Sequence, residues 1–317
     1  MRRRAIVPVL LAAMALATLP RDAPRRPDSR QIVSFRALPH PATLGPGVAV
    51  AGAWLVTSPN SEFGSYSALA SLDETRLAAF SDRGARLVFS VPDLPAAPAS
   101  RIDLLAATRG TASKRERDCE AVARDPASGS VWAAYEQTNT IVRYGAEGAV
   151  TGRARPAAMR AWPANRGPEA MARLGDGRFV VLGEVRVHGR HRALRFDRDP
   201  VEGGTPVPFE YAPPAGFRPT DMAVLPDGRV VVLNRELLFP WRFRAALTVL
   251  DPSEIRPGKV WRGREIARLG PAGPADNYEG LAVVPRGDGR VTLWLISDDN
   301  QAALVQRTLL LKLVWTP

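Results

Sequence analysis

One short pattern recurs five times along the chain at intervals of roughly 50 residues, and this recurrence limits the possible folds more than any other feature. The copies are Tyr66-Ser67-Ala68-Leu69-Ala70, Cys119-Glu120-Ala121-Val122-Ala123, Pro168-Glu169-Ala170-Met171-Ala172, Thr220-Asp221-Met222-Ala223-Val224 and Tyr278-Glu279-Gly280-Leu281-Ala282. The second residue of each copy serves as an anchor: Ser67, Glu120, Glu169, Asp221 and Glu279. After each anchor comes an apolar run, a turn and a second apolar run. The turn is Asp176-Gly177, Asp227-Gly228 or Asp288-Gly289 in three repeats and Ser128-Gly129 in another. Asp-Gly between apolar runs closes a tight hairpin, because glycine adopts positive φ at little cost. The first repeat carries Asp73-Glu74-Thr75 there, a weaker turn.

The second runs, at 131–135, 179–182, 230–233 and 291–296, are rich in β-branched and aromatic residues, as strands are. Third runs follow at 86–91, 140–144, 193–196, 247–250 and 309–315, and fourth strands fit at 101–105, 150–154, 209–212 and 265–269. The last repeat ends with the chain after three strands. The spare run 48–57 would complete it, closing the ring and removing an open edge. No long window keeps a 3.6-residue period, and a β-sandwich would not explain a repeat of this length. The expected fold is all-β: a single β-propeller of five four-stranded blades, with six open if one blade has lost its signature.

The chain has 317 residues, with 43 Lys and Arg against 32 Asp and Glu. Much of the basic excess lies at the start. Arg2, Arg3 and Arg4 precede an apolar run over 5–19 with a small-x-small site at Ala15-Leu16-Ala17, the form of a secretory signal peptide. An uncleaved anchor is the alternative, although the run is short for a bilayer span. The expected organisation is a signal peptide at 1–19, a Pro- and Arg-rich flexible lead-in at 20–47 and the propeller at 48–317. That predicts a periplasmic or secreted protein, a monomer, with no stable membrane span after cleavage. Nucleic acid is not an expected partner, since the body shows no basic patch with aromatic platforms. The single cysteine, Cys119, excludes a disulfide framework and multi-cysteine metal sites, and three histidines leave little for a histidine metal centre.

The chemistry lies in the acids. Four of the five anchors are carboxylates, and the second strands also end in acid, at Asp82, Glu136, Glu184, Glu236 and Asp298-Asp299. A hairpin sets the start of its first strand beside the end of its second. Ring closure should therefore gather about nine carboxylates at one channel mouth. Crowded carboxylates repel and raise one another's pKa. Relief comes from arginines such as Arg83, Arg117 and Arg235, from protonation, or from a hard divalent cation, for which oxygen ligands suit calcium or magnesium better than zinc. The plainer reading is that each acid caps a loop or pairs with an arginine.

Phe63-Gly64-Ser65-Tyr66-Ser67, Arg117-Asp118-Cys119-Glu120-Ala121, Gly167-Pro168-Glu169-Ala170, Pro219-Thr220-Asp221-Met222-Ala223 and Asn277-Tyr278-Glu279-Gly280-Leu281-Ala282 resemble the phytase-like family, also called the esterase-like activity of phytase family. Ile296-Ser297-Asp298-Asp299-Asn300 and Arg307-Thr308-Leu309-Leu310-Leu311 look similar too, so the likeness covers roughly residues 48–315. The resemblance implies an exported bacterial β-propeller hydrolysing phosphate or carboxylic esters. It also implies calcium at an acidic mouth, as in the β-propeller phytases. The chain departs from those in having only three lysines, Lys114, Lys259 and Lys312, to bind phosphate; arginine can substitute as a bidentate ligand.

Other chemistries are weaker. Ser67 with His188 or His191 would make a serine hydrolase, but Gly64-Ser65-Tyr66-Ser67-Ala68 is not a nucleophile elbow. Cys119 reads as a buried small hydrophobe and the tryptophans as blade packing, except Trp241, which falls on an expected mouth loop where it would cover a ligand. The sequence therefore predicts a metal-assisted hydrolase of an anionic or other small ester. Glu120, Glu169, Asp221 and Glu279 are its ligands or general base, and Asp82, Glu136, Glu184 and Asp298 are further cation ligands. Arg83 and Arg235 hold the substrate, calcium or another hard divalent cation is the cofactor, and no organic cofactor is needed. The rival is a non-catalytic propeller that binds a ligand or an envelope partner.

Overall fold

Each repeat becomes one antiparallel sheet, and five such sheets stand around an axis. The computed structural model describes residues 26–94, 99–110, 113–238, 242–270, 274–302 and 304–317. The expected signal peptide and Trp241 lie outside these residues. Blade I comprises Tyr66–Ser71, Arg76–Ser81, Ala85–Ser90 and Ser100–Leu104; blade II comprises Cys119–Arg124, Val131–Tyr135, Thr140–Tyr144 and Val150–Ala154. Blade III is Pro168–Arg173, Phe179–Val187, Arg190–Phe196 and Pro206–Tyr211, and blade IV is Arg218–Val224, Val230–Leu238, Arg242–Leu250 and Arg264–Leu269. Blade V takes Tyr278–Pro285, Val291–Ser297 and Leu309–Trp315 from the end of the chain and Val48–Thr57 from its beginning. Trp315 pairs with Val48 and Leu309 with Leu55 in that last ladder.

The inner strands contact one another in the cyclic order I, II, III, IV, V and back to I, which makes the fold a five-bladed propeller. Both faces of a blade pack against a neighbour, so inner runs are apolar throughout: residues 230–233 are completely buried. Gly177 and Gly228 hold the predicted hairpin turns at φ of 87° and 85°, and an added Cβ would meet nothing within 4 Å there. These positions keep glycine for its backbone freedom and not for space.

The lead-in departs from the flexible segment that its Pro- and Arg-rich composition predicts. Ser34–Ala37 pairs antiparallel with Val48–Thr57, and Thr43–Gly45 pairs with the other end of that strand. Blade V therefore has six strands. Val48–Thr57 would otherwise present an unpaired edge, and the preceding chain is tethered beside it. A second outer addition occurs on blade III, where Val260–Trp261 adds in parallel to Pro206–Tyr211. Among the described residues no helix is long and apolar enough to cross a membrane.

Candidate active site

Every inner strand carries the same irregularity near its start, one residue in for four blades and two residues in for blade IV. The pairing register shifts between Tyr66 and Ala68, Cys119 and Ala121, Pro168 and Ala170, Pro219 and Asp221, and Tyr278 and Gly280. The bulged residues are thus Ser67, Glu120, Glu169, Thr220 and Glu279. A bulge turns one side chain out of the alternating pattern; Ser67, Glu120, Glu169 and Glu279 line the mouth cavity, while the Thr220 hydroxyl donates to the Leu233 and Tyr278 carbonyls. Across the hairpin, the second strand or the residue just after it supplies Asp82, Glu136, Glu184, Arg235 and Asp298. The backbone N–H groups of Asp82, Glu136, Glu184 and Asp298 donate to Ser65, Asp118, Gly167 and Asn277 oxygens at 2.9–3.0 Å, a bond repeated in four blades.

This register corrects two expectations in blade IV. The anchor equivalent to the glutamates is Thr220, not Asp221. Asp221 is 1% exposed, and its carboxylate accepts N–H bonds from Met222 at 2.8 Å, Leu281 at 2.7 Å and Leu69 at 3.3 Å. It fastens blades I, IV and V together across the axis and does not line the mouth. Likewise Arg235 pairs with Arg218 in register and takes the place of the expected acid, while Glu236 turns to Arg244. Arg83 is the third correction. It donates to Ser61 O at 3.0 Å and does not line the mouth cavity.

The cavity has a volume of about 340 Å3. Asp82, Asp118, Glu120, Glu136, Glu169, Glu184, Glu279 and Asp298 line it, against the cations Lys114, Arg218 and Arg235. Leu237 and Phe243 make an apolar wall on blade IV. The cations are already engaged. Arg235 bonds Glu279 and, at 2.6 Å, Asn277; Arg218 pairs with Glu184 at 2.5 Å; Lys114 lies 3.4 Å from Asp82 and 3.8 Å from Asp118. Asn277 also donates to Glu279 at 2.8 Å and to Asp298 at 3.3 Å. Among the described residues no salt bridge reaches Glu120, Glu136 or Glu169.

The electrostatic consequence is the same for five of these acids. Burial, with Glu169 and Asp82 nearby, pushes the Glu120 carboxyl well above the ordinary range. Burial and the charges of Glu184 and Glu136 do the same to Glu169. Glu136 is raised to about 8 by burial and by Asp118 and Glu184, and Asp82 to about 6 by burial, despite Lys114. Asp298 is raised by burial and by Glu279.

Two groups of three carboxylates are close enough to share an ion. Oxygens of Asp82, Asp118 and Glu120 lie within 4.8 Å of one another, as do those of Glu136, Glu169 and Glu184. One oxygen of Asp82 is buried without a hydrogen-bond partner. An all-oxygen set with excess negative charge fits a hard divalent cation and not a thiophilic one.

Sequence reasoning missed Asp118, Lys114, Arg218 and Asn277. Asp118, Arg218 and Asn277 each stand two residues before a bulge, so a third repeat position was the signal available. Lys114 reaches in from a short helix, Lys114–Arg117, outside the repeat. The serine alternative has no support: Ser67 Oγ donates to the Cys119 and Phe80 carbonyls, while His191 Nδ1 lies 3.0 Å from Gly183 O, and burial lowers that imidazole to about 4. Cys119 is fully buried in an apolar cluster, and burial pushes its thiol up.

Five blades closing on a pocket of clustered carboxylates define a β-propeller with an acidic, oxygen-rich mouth. The family described as "Phytase-like: Esterase-like activity of phytase" matches residues 61–301, and the chain belongs to that family. No curated protein matches the chain in sequence. Among solved structures, the PQQ-bound aldose sugar dehydrogenase from Streptomyces coelicolor is similar at 14% identity and a TM-score of 0.46, covering 91% of this chain and 100% of that one. The WD40 β-propeller domain of Doa1 is similar at 11% identity and a TM-score of 0.39, covering 86% and 98%.

Proposed function

We propose that this protein is an exported, monomeric ester hydrolase whose acidic mouth works with a hard divalent cation, calcium in the first instance, on a phosphate or carboxylic ester. The observation that carries the reading is the pair of three-carboxylate groups in one cavity, each with ligand oxygens within 4.8 Å. Asp82, Asp118 and Glu120 would hold one cation and Glu136, Glu169 and Glu184 a second. A divalent cation bound there supplies positive charge for the oxyanion that develops on the ester and acidifies nearby water.

The chain's own groups do the rest. Glu169 and Glu120 lie half-buried at adjacent bulges, and a carboxylate with a raised pKa is a better proton acceptor near neutral pH. One of them takes the proton of the attacking water. Arg235 is held in place by Asn277 and Glu279, and Arg218 by Glu184, so both guanidinium groups are oriented before substrate arrives. Phe243 and Leu237 exclude water on one side and give the ester's apolar portion a surface.

The test is turnover of p-nitrophenyl phosphate, p-nitrophenyl acetate and phytate in calcium, in EDTA and after calcium is restored. Hydrolysis of at least one ester that EDTA abolishes and calcium restores supports the reading. Hydrolysis that EDTA does not touch removes the cation from it. No hydrolysis of any ester, with calcium binding intact, leaves the propeller as a binding protein.

A further inference from the structure

A second cavity, of about 490 Å3, opens between blades I and II and shares no lining residue with the mouth. Its origin is a difference in filling. Four of the five apolar clusters contain tryptophan: Trp315, Trp294, Trp261, and Trp132 with Trp162. The cluster between blades I and II contains none. Ala68, Ala78 and Ala133 stand in it, with Ala70, Ala106 and Ala107 packed against it. Its largest side chains, Phe80, Tyr135 and Tyr144, leave space in the widening wedge that an indole fills in the other clusters.

The cavity has an apolar floor and a basic rim. Phe80, Leu105, Val131 and Tyr144 are buried at the bottom. Arg76, Arg86, Arg109 and Arg124 surround the opening, and Glu147 is the only acid among the described lining residues. Arg76 is committed to Asp73 at 2.7 Å. The other three are not neutralised in the same way. Arg86 lies 3.9 Å from Asp103, which Arg101 holds at 2.7 Å, and its Nε is buried without a hydrogen-bond partner. Arg124 donates to Ser71 O and Arg109 to Leu104 O, and no acid pairs with either among the described residues. Guanidinium groups over a desolvated apolar floor are satisfied by a planar anion on an apolar body. The volume lies within the range of small-molecule sites, about 300–1,000 Å3.

We propose that the wedge between blades I and II is a binding site for a small carboxylate with an apolar body, such as a medium-chain or aromatic acid. Arg86 and Arg124 hold the carboxylate, and Phe80, Leu105 and Val131 receive the hydrocarbon.

Calorimetric titration with octanoate tests this, with octanol and octylamine as neutral and cationic controls. Wild type should bind octanoate saturably, at least about tenfold more tightly than either control. Arg86→Met combined with Arg124→Met should weaken octanoate at least about tenfold, and Ala106→Phe, which fills the cavity without touching a charge, should do the same. Glu169→Gln, in the mouth, should leave octanoate affinity unchanged. Equal affinity for octanoate and octanol, no saturable binding, or loss of binding in Glu169→Gln would each overturn the proposal. If the double arginine variant does not melt cooperatively, Ala106→Phe decides alone: unchanged affinity there sinks the site.

Discussion

The two ends of the propeller carry acids at repeated positions and treat them in opposite ways. At the end away from the mouth, Asp176, Asp227 and Asp288 begin Asp-Gly-Arg turns, and each carboxylate pairs with the arginine two residues on, at 2.5–2.6 Å. Those arginines and the turn N–H groups hold the carboxyls below the ordinary range, Asp288 at about 2. Asp73 in the first blade is also lowered to about 2: Thr75 and Arg76 outweigh its burial. At the mouth the acids face one another across a pocket, and burial and mutual repulsion raise them. The same side chain is a solvated turn cap at one end and a group destabilised by burial and like charge at the other. Location in the ring decides which, and residue type does not.

The comparison breaks most visibly in activity. Glu169→Gln keeps size and removes basicity, so turnover of any ester the wild type hydrolyses should fall about 10²–10⁴-fold. Asp227→Asn at the far end should leave kcat/KM unchanged. Equal losses in the two variants would erase the distinction between the ends.

Stability should respond to cation and pH next. A raised acid stabilises the fold below its ordinary pKa and loses that contribution as pH climbs through its folded value. In EDTA the melting temperature should therefore fall as pH rises from about 4.5 to about 8, the window of Glu136. Glu136→Gln should be more stable than wild type at pH 8, by about 1–3 kcal/mol, and no more stable than wild type at pH 4. Calcium at a hundred times its Kd should add about 2.7 kcal/mol to wild type. That gain should shrink in Glu136→Gln and persist in Asp227→Asn. A calcium shift that is the same in all three proteins would place the ion elsewhere.

Asp221 sharpens the comparison from a third position, within the channel but below the mouth. Asp221→Asn leaves one of its backbone donors facing an amide N–H and should cost about 1–3 kcal/mol in chemical denaturation. Activity per folded molecule should hold; a loss of turnover without loss of stability would return Asp221 to the site.

The smallest effect belongs to the far-end turns. Asp73 is lowered, so its contribution is present above about 3.8 and is lost as pH falls toward 2. Because the pair is largely solvated, Asp73→Asn should cost under about 0.5 kcal/mol at pH 7 and nothing at pH 2. A larger loss at pH 7 would mean that these turns bear on ring closure.

Periodicity carried far. Hairpin turns, strand runs and five recurring anchors are local signals, written in residues that are neighbours in the chain, and they specify blades whatever surrounds them. Glu120, Glu169 and Glu279 were legible as mouth residues because a repeat in sequence becomes a ring in space. Ser34–Ala37 was not legible, because its strand forms only where an edge awaits it.

What the sequence determined by itself was the blade, its repetition around a ring and the acids that recur with it. Only the tertiary structure decided which residue of the fourth copy takes the bulged position. A bulge shifts the register by one, and in blade IV that one residue exchanges Asp221 for Thr220 and an expected acid for Arg235. It also decided how each acid is charged. The pKa of Glu136 depends on Asp118, which its own hairpin sets beside it, and on Glu184 of the next blade, which comes near only once the blades have packed together.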